Sequence, residues 1–178
     1  GAQGTPVKLD GNGDLDLSDV ELTTIPSEDD FNSATLRIKR DGENAVSTDR
    51  YWFDTSGSGS TAVSISGTTI SVGGQAVGTL NAAVATSDLK VTFNASADKA
   101  SVDAVMRAVT FASTDDDFEG DITVAMTFND GNTGNPLPQG SGNAKSDTAS
   151  FTVTVTNTND APTFTANGAI SVAEDTAS

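Results

Sequence analysis

Six stretches of this chain alternate between polar and apolar residues, and that period of two constrains the fold more than any other feature. They are Thr35-Leu36-Arg37-Ile38-Lys39, Ala62-Val63-Ser64-Ile65-Ser66, Thr69-Ile70-Ser71-Val72, Leu89-Lys90-Val91-Thr92-Phe93, the run from Asp121 to Phe128, and Ser150 to Thr156. Successive side chains of a strand point to opposite sides, so each stretch reads as a strand with one face buried and one wet. Thr and Ser fill the wet face, and the β-branched Thr favours a strand on its own account. Gly, Asn, Asp and Ser punctuate the runs at Asp41-Gly42, Ser56-Gly57-Ser58-Gly59, Ser66-Gly67, Gly73-Gly74 and Asp130-Gly131-Asn132, all turn formers. Gly73-Gly74 predicts a tight hairpin. One segment departs from the pattern. Ala100 to Val109 sets Val102, Val105, Met106 and Val109 at helical spacing, which predicts a short helix over about residues 100–109 with Asp98 or Ser101 as its N-cap. Many short strands, glycine-rich turns and one short helix predict an all-β chain folded as a β-sandwich.

Composition narrows the chemistry. The 178 residues include 9 Lys+Arg against 25 Asp+Glu, no Cys and no His, for a net charge of -16. Such a surface repels phosphate backbones, so no nucleic-acid partner is expected. Without Cys or His there is no zinc finger, no disulfide framework and no Ser–His or Cys–His nucleophile. No apolar run approaches ~18 residues, so no membrane insertion is expected. What the chain has in quantity is oxygen, from carboxylates, amides, hydroxyls and carbonyls, and Ca²⁺ is the cation that prefers such ligands.

Two acidic constellations stand out. Asp10-Gly11-Asn12-Gly13-Asp14-Leu15-Asp16-Leu17-Ser18-Asp19-Val20-Glu21 has oxygen side chains at EF-hand spacing. Leu15 sits where the sharp turn wants Gly, so a looser Ca²⁺ site from Asp16, Asp19 and Glu21, or simply an alternating strand Leu15–Ser18, competes with a true EF-hand. Glu28-Asp29-Asp30 and Asp115-Asp116-Asp117 read as solvated loops. The long stretch from Asn129 to Thr148, rich in Gly, Asn and Pro, lies between two strong strands and is a candidate functional loop. Tyr51-Trp52-Phe53 holds the only Tyr and Trp. In a strand these neighbours face opposite ways, so Tyr51 or Trp52 is expected at a groove edge, in contact with peptide or sugar, with core packing as the alternative.

At the other end, Asn157-Thr158-Asn159-Asp160-Ala161-Pro162, followed by Glu174-Asp175, resembles the inter-repeat linker of cadherins and of bacterial cadherin-like repeats. The resemblance implies that Asn157, Asn159 and Asp160 bind Ca²⁺ together with the acids that follow. Residues 5–162 as a whole resemble the cadherin-like repeats of large bacterial adhesins of the RTX type. The likeness rests on Ser18-Asp19-Val20-Glu21-Leu22, Phe31-Asn32-Ser33-Ala34-Thr35-Leu36, the helix before Val109-Thr110-Phe111, Phe128-Asn129-Asp130-Gly131-Asn132-Thr133-Gly134, Gln139-Gly140-Ser141-Gly142 and the closing Asn-Asp-Ala-Pro. The chain departs from them by inserting Asn135-Pro136-Leu137-Pro138.

Some members of that family are peptide-binding domains in which a Ca²⁺ ion beside a shallow groove receives the peptide's terminal carboxylate. The resemblance thus implies a cadherin- or Ig-like sandwich over residues 1–160, with 161–178 as linker and opening strand of a next repeat. It also implies Asp130 and Asn132 as metal ligands, and Asp130, Gly131, Asn132, Thr133, Gln139, Gly140, Ser141 and Gly142 as the ligand-binding loop. The expectation is a non-enzymatic, Ca²⁺-dependent module of a secreted bacterial cell-surface adhesin, cut from a longer chain and monomeric. It would bind an extracellular peptide or protein C-terminus, with sugar the second choice, and adjoin neighbouring repeats of the same chain. A structural extender repeat, stiffened by Ca²⁺ and binding nothing, is the competing reading. Paired-carboxylate hydrolysis ranks far behind, because no apolar pocket around any acid pair is signalled.

Overall fold

The computed structural model describes residues 4–18, 31–42, 46–132 and 143–157. In chain order its elements are β1 (Val7–Lys8), β2 (Thr35–Arg40), β3 (Asp49–Phe53), β4 (Val63–Ser66), β5 (Thr69–Val72), β6 (Gln75–Leu80), β7 (Asp88–Phe93), α1 (Lys99–Arg107), β8 (Val109–Ser113), β9 (Gly120–Asn129) and β10 (Ser146–Val155). All strand pairs are antiparallel. They form a 3-stranded sheet in the order β1-β8-β3 and a 7-stranded sheet in the order β10-β9-β2-β7-β6-β5-β4. Among the described residues, a mostly β architecture with two open antiparallel sheets and one short helix is consistent with the expected sandwich.

The alternating stretches fold as the period of two requires. Leu36 and Ile38 of β2, Leu89, Val91 and Phe93 of β7, and Ile122, Val124, Met126 and Phe128 of β9 turn inward. They join Tyr51 and Phe53 of β3 and Val109 and Phe111 of β8 in one core. Full burial of such a side chain contributes about 1.5–3 kcal/mol. Gly73 and Gly74 close the β5–β6 hairpin at φ +56° and +86°, the left-handed pair that a twisted two-residue loop demands. The two sheets are tied where Tyr51 and Ala85 exchange backbone hydrogen bonds of 2.8 and 2.9 Å.

The helix is shorter than its stripe suggests. It spans Lys99–Arg107, and Val109 opens β8 instead of closing α1. Both proposed capping residues act together: Asp98 accepts from the Ser101 amide at 2.8 Å, and the Ser101 hydroxyl accepts from the Asp98 amide at 2.9 Å, a reciprocal cap. Leu15–Ser18 is not a strand. Its alternation is real, with Leu15 and Leu17 half-buried and Asp16 and Ser18 exposed, but its backbone bonds to α1 side chains. The Leu17 amide donates to Asp103 Oδ1 at 3.0 Å, and Arg107 Nε donates to the Leu15 carbonyl at 2.8 Å.

Candidate functional site

Where the end of β9 and the start of β10 meet the segment Leu15–Ser18, the molecule opens into a groove of ≈ 220 Å³. Leu15, Leu17, Met106, Met126, Phe128 and Ala149 give it an apolar floor. Asp16, Ser18, Asp130, Lys145, Ser146 and Asp147 give it a polar rim. Both methionines of the chain face this one groove. Their flexible thioethers suit a floor that must fit a guest.

Asp130 sits just past β9 and is almost fully enclosed, 9% exposed. Its Oδ1 accepts from the amides of Asn132 and Lys145, each at 3.0 Å, while its own amide donates to the Lys145 carbonyl at 3.1 Å. One carboxylate thereby clamps both ends of the loop between β9 and β10. Gly131 follows at φ +72°, and a Cβ there would lie 2.5 Å from the Ser33 carbonyl carbon. Only Gly tolerates that approach. Ser33 itself holds the left-handed region at φ 71°, so backbone strain gathers beside the groove.

Asp16 reaches the rim from the opposite side. It is ion-paired with Lys99, whose Nζ also bonds Asp103 Oδ2 at 2.7 Å. The Lys99 ammonium holds the Asp16 carboxyl below its usual range, and Asp103, then Asp16, hold Lys99 above its own. Because Asp103 also anchors the Leu17 amide, a single helix face fixes the strand-like segment that forms one wall.

The structure thus gathers Asp16 and Asp130, expected in separate constellations, at one groove. Asn132 lies half-buried beside Asp130, and Asn157 is exposed after β10. Asp19, Glu21, Thr133, Gln139, Gly140, Ser141, Gly142, Asn159 and Asp160 lie outside the described residues, as do residues 161–178. Tyr51 needs correction as a ligand contact. It is 0% exposed, packs on Phe111 with ring centroids 5.2 Å apart, and donates its hydroxyl to Asp49 at 3.1 Å. Trp52 faces the other way and is half-exposed, and neither residue lines the groove. Asp10, first of the EF-hand-spaced acids, is buried. Its oxygens accept from the amides of Gly13, Asp14 and Leu15 at 2.9, 3.2 and 3.1 Å, so it shapes the turn.

Lys145, Asp147, Met106, Met126 and Phe128 were not foreseen as site residues. A signal existed for Asp147, which shares the inward phase of Phe151 and Val153 on β10. An acid on the buried phase of a strand is costly unless it meets a partner or an opening. Among the described residues no three His, Cys, Asp or Glu side chains cluster closely enough to hold a metal. Asp130, Asp147 and Asn132 are hard oxygen donors of the type Ca²⁺ takes, though a full shell of 6–8 oxygens requires more. Comparison with protein-family models, with curated proteins and with solved structures yields no match.

Proposed function

We propose that this chain is a Ca²⁺-dependent peptide-binding module of a bacterial cell-surface adhesin, with a cadherin-like fold. The observation that carries the reading is the groove itself: an apolar floor large enough for a side chain, bordered by Asp130, Asp147 and Asp16. Concave sites with an apolar lining and a few convergent polar groups are where ligands bind. A carboxylate-bearing peptide approaching a chain of net charge -16 is repelled. A Ca²⁺ ion on the rim reverses that repulsion locally. Asp130, Asp147 and Asn132 would hold the ion, and it would supply the electrostatic anchor for the peptide's terminal carboxylate. Met106, Met126 and Phe128 would receive its side chain, and no bond is made or broken.

The test pairs calorimetry with a C-terminal peptide array. Ca²⁺ titrated into EDTA-treated protein should raise Tm, since an ion that binds only the folded chain stabilises it by about 2.7 kcal/mol at a hundredfold excess over Kd. Peptide capture should vanish in EDTA. Asp130→Asn keeps the Oδ1 acceptor that clamps the loop but removes the charge, and should lose capture with little change in Tm. Capture indifferent to both treatments refutes the reading. Ca²⁺ stabilisation without any captured peptide returns the chain to the extender reading.

A further inference from the structure

Nine Lys and Arg residues are scattered over a chain of net charge -16, yet three of them meet on two adjacent strands. In the β2–β7 ladder Arg37 stands opposite Lys90, and Lys39 stands opposite Asp88. The residues between them, Leu36, Ile38, Leu89 and Val91, are fully buried, so these four charged groups point outward from the middle of the 7-stranded sheet. Paired strands lie about 4.8 Å apart and alternate residues about 6.8 Å, so the charges form one compact patch. Arg37 grips Asp88 with Nε at 2.8 Å and Nη2 at 2.6 Å from Oδ2. Lys39 and Lys90 form no ion pair with any described residue. Three cations against Asp88, with exposed Asp41 two residues beyond Lys39, leave a local excess of one positive charge on an acidic protein.

The ground around the patch is hydroxyl. Thr35 pairs with Thr92, Thr127 flanks Arg37, and Thr148 flanks Thr127 with their Oγ1 atoms 2.9 Å apart. No outward position of β2, β7, β9 or β10 bears a large apolar side chain.

We propose that this face binds an acidic polysaccharide, a sugar chain bearing uronate carboxylates. Lys39 and Lys90 anchor the carboxylates, and the flanking threonines exchange hydrogen bonds with sugar hydroxyls. Charge complementarity selects an anion, and the polar floor selects its class. A protein partner needs an apolar or aromatic centre, which this face lacks. A nucleic acid brings a far denser row of phosphates against the remaining negative charge. A uronate chain carries sparser charge and many hydroxyls, which is what the patch offers. The inference is independent of the groove, which lies at one end of the sheet.

Hyaluronan oligosaccharides titrated into the whole chain test it. Binding should be seen at low ionic strength and weaken several-fold at physiological salt, as exposed charges are screened. The double variant Lys39→Gln/Lys90→Gln should bind at least tenfold more weakly while keeping the parent Tm. Lys8→Gln, a cation of the 3-stranded sheet, should leave uptake unchanged. No binding at low salt, undiminished binding by the double variant, or equal uptake of neutral dextran overturns the proposal. Equal uptake of polyglutamate also overturns it, in favour of an acidic protein partner. Asp130→Asn leaves hyaluronan binding intact if the two sites are separate, so either site can fail without the other.

Discussion

Asp49 is the most enclosed carboxylate among the described residues, 1% exposed. Arg40 meets it with Nε at 3.0 Å and Nη2 at 2.6 Å, and the Tyr51 hydroxyl adds a third donor. Arg40 also stacks on Phe118, 5.7 Å from the ring centre. Burial, then the Asp49 charge, holds the Tyr51 phenol far above its usual range, which keeps its hydroxyl a donor to Asp49. Removing one partner of such a pair strands a buried charge, which costs about 3–5 kcal/mol. Asp49→Ala is therefore expected to lower the unfolding free energy measured in urea by that amount, and Tyr51→Phe by much less, about 1 kcal/mol. A shift under 1 kcal/mol for Asp49→Ala would show that Arg40 finds water instead. At this scale the sequence was only partly legible. Tyr51 advertises itself as a binding aromatic because it is the only tyrosine. Its true role depends on Asp49, two residues earlier, sharing the buried face of β3.

Among the elements, α1 has the broadest reach. Its charged face, not its apolar stripe, fixes the wall of the groove through Lys99, Asp103 and Arg107. Asp103→Ala removes the acceptor of the Leu17 amide and one partner of Lys99, so a loss of about 1–3 kcal/mol is expected. The sharper readout is amide exchange: Leu17 should exchange faster while Leu36, in the middle of β2, falls only with global stability. Unchanged protection at Leu17 would mean that the wall is held by packing alone. Alternation revealed the strands with one wet face. It was silent on β8, whose residues are all buried and therefore lack a period of two. It was blurred in β3, where a buried Asp breaks the apolar phase. The groove itself had no local signature, since its walls come from residues 15–18, 126–130 and 145–149. The β9–β10 pairing brings the last two together, and side chains of α1 hold the first beside them.

For the whole molecule, charge sets the response to pH. Lys8 and Ser56 hold Asp54 well below the usual carboxylate value of 3.8, and Lys99 does the same for Asp16. Below 3.8 the unfolded chain binds protons that the native chain still refuses. The stability from these pairs is thus complete above 3.8 and is lost as pH falls through the depressed native values. Lys99, raised above 10.5, contributes fully below that value and loses its share as pH climbs past the raised one. Between these limits the chain has no His to titrate, while its charge of -16 repels itself. In low salt without divalent ions, Tm should rise as pH is lowered from about 7 towards about 4.5, because self-repulsion shrinks before the pairs break. It should then fall steeply below 3.8. Added salt should flatten the rise. A melting profile that declines from pH 6 downward contradicts this ordering.

That both thioethers of the chain line one opening makes the protein its own occupancy gauge. Met106 and Met126 are only 5% and 3% exposed, so peroxide reaches them slowly and only through this opening, and a peptide map assigns the added sulfoxide mass to either one separately. With no cysteine to compete for the oxidant, slower sulfoxide formation at both positions reports that the opening is filled. A guest can thus be detected, and its depth gauged, without a label on either molecule.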